Sequence, residues 1–466
     1  MGRHSELNSS ARIVKVNKFY KNILIEQDDL TLKENISLKK YHYEKEMDVF
    51  TFNFPMIIQS SGEVWEIATV YLMYCLEEIR DLDGEILYNF ATDLLDYLKF
   101  IEDRKSHFLD LPKFRSNRIT TKYERYLRDQ VENLVIGPNT AKRRINKVVD
   151  FYKTCIEQKF LIAEDFENVP YEEQLRRVTI VTTDGYEKEI ETRSHDHAIA
   201  GSPPNRDENL IYDDGALRPL SKREQLLYLE YLERYGTREL QLMTYIALFT
   251  GARIQTICTL RVKHLKNLPL MADKKTYKLT VGNETGVDTK NGKKHHLELP
   301  LKIKKLIDNY FGSEEWKERA KKSFYGECDN NYIFLTKKGN PYYTSKREKL
   351  DVKYQVDSDK YVGKYIIYKG NAVRKNLSDV LEKLCEDYLD YQDFRFHDLR
   401  ATFGMNLVRK LEEFGYSPNV IKNKVKTKMG HDSDSTTDLY LKYEFNKEER
   451  QRVQSKLEDE LFKYVN

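Results

Sequence analysis

Four short segments of this 466-residue chain carry side chains that could act together on an anion: TGARIQTICTLRVKHL at 250–265, TKNGKKHHLELPL at 289–301, HDLRATFG at 397–404 and MGHDSDSTTDLYLKY at 429–443. The side chains of interest in them are Arg253 and Arg400, a group of lysines, His397 and His431, and Tyr440 and Tyr443. A guanidinium is planar, stays charged at any working pH and grips two oxygens of one anion. A phenol hydroxyl, with a pKa of about 10, attacks at neutral pH only with cations and a proton acceptor beside it. Taken singly the segments say little. An arginine after Thr250-Gly251 can simply cap a helix, HxxR is usually a surface pair, and one tyrosine among 33 is no signal. Their joint occurrence in this order is informative.

The set resembles the catalytic domain of the tyrosine site-specific recombinases of the phage-integrase type. The family pattern is an arginine after a TG-small turn, a lysine in a β-hairpin, HxxR, then GH with a tyrosine nine residues after its histidine. Here those positions are Arg253, Lys290, His397, Arg400, His431 and Tyr440, with Ser435-Thr436-Thr437 leading into the tyrosine. Lys293 and Lys294 are rivals to Lys290, and Tyr443 is the rival nucleophile. The likeness is strong over Leu217–Tyr443 and weak over Ser60–Phe160, where the family places a helical core-binding domain. One departure is Thr256, which stands where many members carry an acidic residue three positions after the first arginine.

The resemblance implies a DNA strand-breaking and rejoining enzyme that passes through a 3′-phosphotyrosyl intermediate with a free 5′ hydroxyl. Arg253 and Arg400 would clamp the non-bridging oxygens, an oxyanion-hole role. His397 is the candidate base, His431 a phosphate donor or positioning group, and Lys290 the acid for the leaving oxygen. The bond energy stays in the ester, so no ATP, metal or other cofactor is expected, and the chain contains no Walker A sequence. The partners implied are double-stranded DNA with specific core sites and a homo-tetramer on DNA, weakly associated or monomeric alone, with room for accessory proteins. The role would be integration, excision or transposition of a mobile element, in the prokaryotic cytoplasm. The alternatives are a type IB topoisomerase-like strand transferase, a catalytically decayed DNA-binding relative and a metal-dependent nuclease.

Net charge is +3, from 78 Lys and Arg against 75 Asp and Glu, which alone does not suggest nucleic acid. The distribution does: Arg253–Lys305 is strongly basic and Ser61–Arg104 strongly acidic. Candidate phosphate contacts are Lys142, Arg143, Arg144 and Lys147 at the start of a helix, Lys293 and Lys294 beside Lys290, and Lys426 and Lys428 before the GH motif. The other reading of such charge runs is a solvated face. Five widely spaced cysteines without CxxC read as reduced thiols. The pair His195 and His197 lies in a polar loop without a partner pattern and is read as incidental, so no metal site is expected. No apolar stretch reaches the about twenty residues of a membrane span.

The elements that must position these residues can be read from periodicity. The fold class expected is mainly α with a small antiparallel β-sheet (α+β), a tyrosine-recombinase catalytic fold preceded by a helical core-binding domain. Residues 1–58 read as an appended region, a DNA-arm or interaction segment, with strands. Residues 59–165 read as four helices: Val64–Cys75, Ile86–Ile101, Lys122–Leu134, and one from Pro138, capped by Asn139 or Thr140, to about Phe160. Residues 166–216 read as a β-hairpin turning at Asp184-Gly185, then a polar linker rich in Gly and Pro. Residues 217–466 form the catalytic domain, opening on a helix capped by Ser221 with Glu224 at the third helical position. Leu242–Phe249 reads as a buried helix, Lys278–Val281 and His296–Leu299 as paired strands, and Tyr332–Leu335 as a further strand. A terminal helix with Val453, Leu457, Leu461 and Tyr464 on one stripe is expected to dock on a neighbouring protomer or fold back on its own domain.

Overall fold

The computed structural model describes residues 7–20, 50–78, 84–162, 167–181, 187–201, 207, 209–349 and 366–446. The Asp184-Gly185 turn and the stripe from Val453 to Tyr464 lie outside the described residues. The chain is mostly helical with small two-stranded antiparallel sheets, and it divides into two compact units, Met1–Asn205 with Asp359–Tyr365, and Arg206–Ser358 with Ile366–Asn466.

In the first unit, helices Glu66–Glu78, Gly84–Asp103, Ile119–Glu132 and Pro138–Glu157 enclose an apolar core. Their apolar residues recur every three or four positions, so each helix turns one stripe inward. Ile145, Val148 and Tyr152 do this along the last helix. Its cap differs from the expectation: Gly137 holds the cap position and Pro138 begins the helix, because proline lacks the N–H that the first turn leaves unbonded. The first helix also starts later than its periodicity suggests, since Val64 bridges back to Ile58 in extended conformation. Strands Arg12–Tyr20 and Phe50–Ile58 pair antiparallel, and Phe54 and Ile57 enter the helical core, so these residues pack with the helices. Glu173–Val181 pairs with Glu187–His195.

The second unit is helical around one strand pair. Ser221 accepts the Glu224 N–H while Glu224 accepts the Ser221 N–H, closing a capping box on helix Lys222–Tyr235. Helix Arg238–Thr250 buries Leu242, Met243, Ile246 and Ala247, whereas Phe249 is exposed. Strands Thr276–Val281 and His295–Pro300 pair in the register Lys278 to Glu298 and turn Leu279, Leu297 and Leu299 into the same core. Tyr332–Leu335 makes only isolated bridges, at Tyr332 to Arg261 and at Leu335 to Pro341, and is not a strand. A second apolar cluster joins helix Asp398–Glu413, helix Pro418–Met429 and the helix at 434–446 through Met405, Val408, Ile421, Val425 and Met429.

Candidate active site

Arg400 stands where the elements of the second unit meet. The helix Arg238–Thr250 ends at Gly251, which takes the left-handed conformation at φ 68°, and a Cβ there would strike the Phe403 ring at 2.5 Å. The freed Gly251 carbonyl accepts from Arg400 Nη1 at 2.8 Å, and the Met429 carbonyl accepts from Nη2 at 3.0 Å. Arg400 thus satisfies two helix C-termini while remaining 3% exposed. Its Nε donates to Oδ2 of Asp213 at 2.9 Å.

Arg253 follows the same turn, at the start of helix Ile254–Cys258, and its side chain makes no capping bond. It reaches outward instead, donating from Nε and Nη2 to Oδ2 of Asp214 at 3.0 and 2.6 Å. Lys290 sits on the loop joining the two strands, where Asn291 at φ 55° and Gly292 at φ 68° form the turn. Its ammonium pairs with Oδ1 of the same Asp214. The two rival lysines face elsewhere, Lys293 to Asp432 and Lys294 to Glu284.

His431 follows Gly430, which is left-handed at φ 69°. Its Nδ1 meets Thr437 Oγ1 at 3.0 Å, and its Nε2 donates to Asp213 Oδ2 at 3.1 Å. Tyr440 is fully buried, and its hydroxyl donates to the same oxygen at 3.0 Å. Gly404 makes room for it, since a Cβ there would lie 2.4 Å from the Tyr440 ring. His397 caps helix Asp398–Glu413, with Nε2 3.3 Å from the Asp213 carbonyl oxygen. Tyr443 packs at the edge of the second cluster, half-buried.

The structure therefore brings all six expected side chains to one place, around two residues the sequence reading assigned to a linker. These residues form a hairpin of the second unit and not a linker. Ile211–Tyr212 and Ala216–Leu217 are paired strands, Ile211 and Leu217 are buried, and Asp213-Asp214-Gly215 is their turn. Asp213 is buried, which a carboxylate tolerates when its charge is paired, while Asp214 and Gly215 are exposed. The base of this hairpin is fastened to the HxxR helix: Asp398 accepts the Arg218 and Arg395 N–H groups, and Thr402 accepts that of Leu220. A second positioning group also escaped the sequence reading. Asp288 accepts from Gln255 Nε2 at 3.0 Å and from the Lys346 N–H, tying the loop that leads to Lys290 to the helix that follows Arg253. Nothing in its spacing distinguishes Asp288 from a surface acid.

Charge follows geometry. Burial works against ionisation of Asp213, but the hydrogen bond from His431 and the charges of Arg400 and Arg253 outweigh it and hold the carboxyl well below its ordinary range. Asp214 is lowered too, against burial, by Lys290 and Arg253. Burial, then the Asp213 charge, push the Tyr440 phenol well above its usual value. Burial, reinforced by Arg400, lowers His397 and favours its neutral imidazole.

Most of the candidate DNA-contacting cations are engaged within the chain. Arg143 forks onto Asp93, Arg144 pairs with Asp96 at 2.8 Å, and Lys147 pairs with Asp150 while lying over the Phe90 ring. Lys426 pairs with Asp434 and Lys428 with Glu298, and Lys142 is exposed. Among the described residues no group of three or more His, Cys, Asp or Glu is placed to hold a metal ion, and no helix is long and apolar enough to cross a membrane. His197 is buried against Glu124 and the Pro170 carbonyl.

Residues 224–447 match the sequence model of the phage integrase family. No curated protein matches the chain. Among solved structures it is similar to the Tn1549 transposon integrase in complex with a circular intermediate DNA, at 11% identity over 80% of this chain and 94% of that one, with a TM-score of 0.42. It is also similar to a lambda integrase dimer bound to a COC′ core site, at 13% identity over 80% and 94% of the chains, with a TM-score of 0.43. The sequence match over 224–447 is the stronger finding: that segment is similar to the phage integrase family.

Proposed function

We propose that the chain is a site-specific DNA recombinase that cleaves and rejoins strands through a covalent 3′-phosphotyrosyl intermediate on Tyr440, in the integration, excision or transposition of a mobile element. The observation that carries this reading is the convergence of Arg253, Lys290, Arg400, His431 and the Tyr440 hydroxyl on one pair of adjacent carboxylates. Those donors, aimed at anionic oxygens from several sides, are what an in-line attack on a phosphodiester requires.

In this reading the Tyr440 oxygen attacks phosphorus and the bond to the 5′ oxygen breaks. Arg253 and Arg400 hold the non-bridging oxygens, where charge builds, and His431 donates to one of them. The phenol proton passes to neutral His397, and Lys290 protonates the departing 5′ oxygen. Attack by a 5′ hydroxyl reverses each transfer, so rejoining needs no added energy source. Residues 217–466 act as the catalytic domain and 59–165 as the core-DNA-binding domain, assembling as a tetramer on paired core sites.

The test is covalent trapping. A nicked suicide duplex built from the DNA flanking the gene is incubated with wild type and with Tyr440→Phe, in EDTA, and run on a denaturing gel. A protein–DNA adduct with wild type alone is the expected result. An adduct that survives in Tyr440→Phe, or disappears only in Tyr443→Phe, removes Tyr440 from the role. Plasmid relaxation without strand exchange would identify a topoisomerase-like transferase instead.

A further inference from the structure

The turn Asp213-Asp214-Gly215 occupies the place where the proposed reaction needs a phosphate. Asp213 Oδ2 alone accepts from Arg400 Nε, His431 Nε2 and the Tyr440 hydroxyl, and Asp214 takes Arg253 and Lys290. A carboxylate matches a phosphate edge in charge and in spacing of its acceptor oxygens. Two carboxylates and a phosphodiester cannot share these donors, because the added negative charge would lie within hydrogen-bond distance of both.

Three observations separate a displaceable occupant from a permanent part of the machinery. First, the contact opposes the chemistry: the nucleophile's hydroxyl is committed to an acceptor whose charge disfavours the phenolate. Second, the strand pairing behind the tip is short, with two paired residues in each strand, Ile211 with Leu217 and Tyr212 with Ala216, and the anchoring bonds lie at the base of the hairpin. Third, Asp214 at the tip adopts φ 60°, a left-handed conformation that costs most residues but that aspartate tolerates better than others. Ion pairs to the site, rather than the strand pairing, hold the tip in place.

We propose that this acidic turn is a built-in phosphate mimic, which fills the scissile-phosphate site in the DNA-free protein and is displaced when the DNA backbone enters. The proposal rests on the reading of the site as a phosphate site. The turn keeps two arginines, a lysine and the nucleophile organised and neutralised until a stronger anion competes. It also sets a threshold, since only a ligand that gains more from these donors than the two aspartates do can enter.

The experiment measures inorganic phosphate binding by calorimetry, in wild type, Asp214→Asn and Asp213→Asn/Asp214→Asn. Asparagine keeps the shape of each side chain and tolerates the left-handed turn. Each protein is also carried in an Arg253→Ala background to locate the binding. The double variant is expected to bind phosphate at least about tenfold more tightly than wild type, with Asp214→Asn between them, and the gain is expected to vanish with Arg253→Ala. Equal affinity in wild type and both variants overturns the mimic while leaving a phosphate site. Weaker binding in folded variants overturns it too, and makes Asp213 a positioning residue for the arginines. If no folded protein of the set binds phosphate, the phosphate-site reading falls with it.

Discussion

The Tyr440 hydroxyl donates to Oδ2 of Asp213 at 3.0 Å, across 227 residues of sequence. The same oxygen accepts from Arg400 and His431, so the candidate nucleophile and its candidate electrostatic partners are held by one carboxylate. This links the reactivity of the tyrosine to the state of a turn that lies in neither of the motifs containing Arg400 and Tyr440.

Tyr440→Phe is expected to keep DNA binding and to abolish the covalent adduct. The folded state changes little, because Asp213 retains its bonds from Arg400 and His431 and one hydrogen bond is worth about 1 kcal/mol net. Gel shift, denaturing gel and urea unfolding check the three parts. A loss of several kcal/mol would show that the hydroxyl holds the site together.

The two arginines are expected to differ on substitution. Arg253→Lys keeps charge at a partly exposed position, so cleavage falls by at least about a hundredfold, the scale of losing one oxyanion donor, with little loss of stability. Arg400→Lys strips donors from the buried Gly251 and Met429 carbonyls and from Asp213, so it is expected to cost about 3–5 kcal/mol of stability as well. Single-turnover cleavage and urea midpoints, measured on the same preparations, separate the two effects.

Lys290→Ala is expected to be rescued by a substrate with sulfur in the 5′-bridging position, because a thiolate leaves without a proton. Lys293→Ala and Lys294→Ala, whose ammonium groups pair with Asp432 and Glu284, are expected to cleave the ordinary substrate. Equal rescue of Arg253→Ala would remove Lys290 from the role of acid.

Stability is expected to fall on the acid side because of Asp213 and Asp214. Both carboxyls are lowered in the folded protein, so between the folded and unfolded values the unfolded chain binds more protons and stability rises with pH. Their contribution is present above the ordinary aspartate value of about 4 and is lost as pH falls through the lowered ones. Urea midpoints from pH 2 to 7 should show a shallower acid slope in Asp213→Asn/Asp214→Asn than in wild type. An unchanged slope would mean these carboxyls are not held ionised by the site.

In the first unit, Lys142 and Arg144 are expected to separate DNA grip from folding. Lys142 is exposed, so Lys142→Ala should reduce the slope of log affinity against log salt by about 0.9. Arg144 pairs with a mostly buried Asp96, so Arg144→Ala should lower stability instead. A salt slope unaltered in Lys142→Ala would turn this helix away from DNA.

The helices whose apolar residues recur with helical period, such as Pro138–Glu157, and the Ser221 cap are legible in the amino-acid order, because they depend on neighbours three or four positions apart. That order also made Arg253, Lys290, His397, Arg400, His431 and Tyr440 legible as a set, because each lies in a short motif with a fixed local context. Asp213 and Asp214 have no such context. Their neighbours in the chain are polar and carry glycine, which is the composition of a solvated linker, and their partners lie between 39 and 227 residues away. Folding alone buries Asp213 and brings Asp214 against Arg253 and Lys290. Bringing two arginines, a lysine and a histidine to one point leaves positive charge that an anion must neutralise, and the chain supplies that anion from its own hairpin.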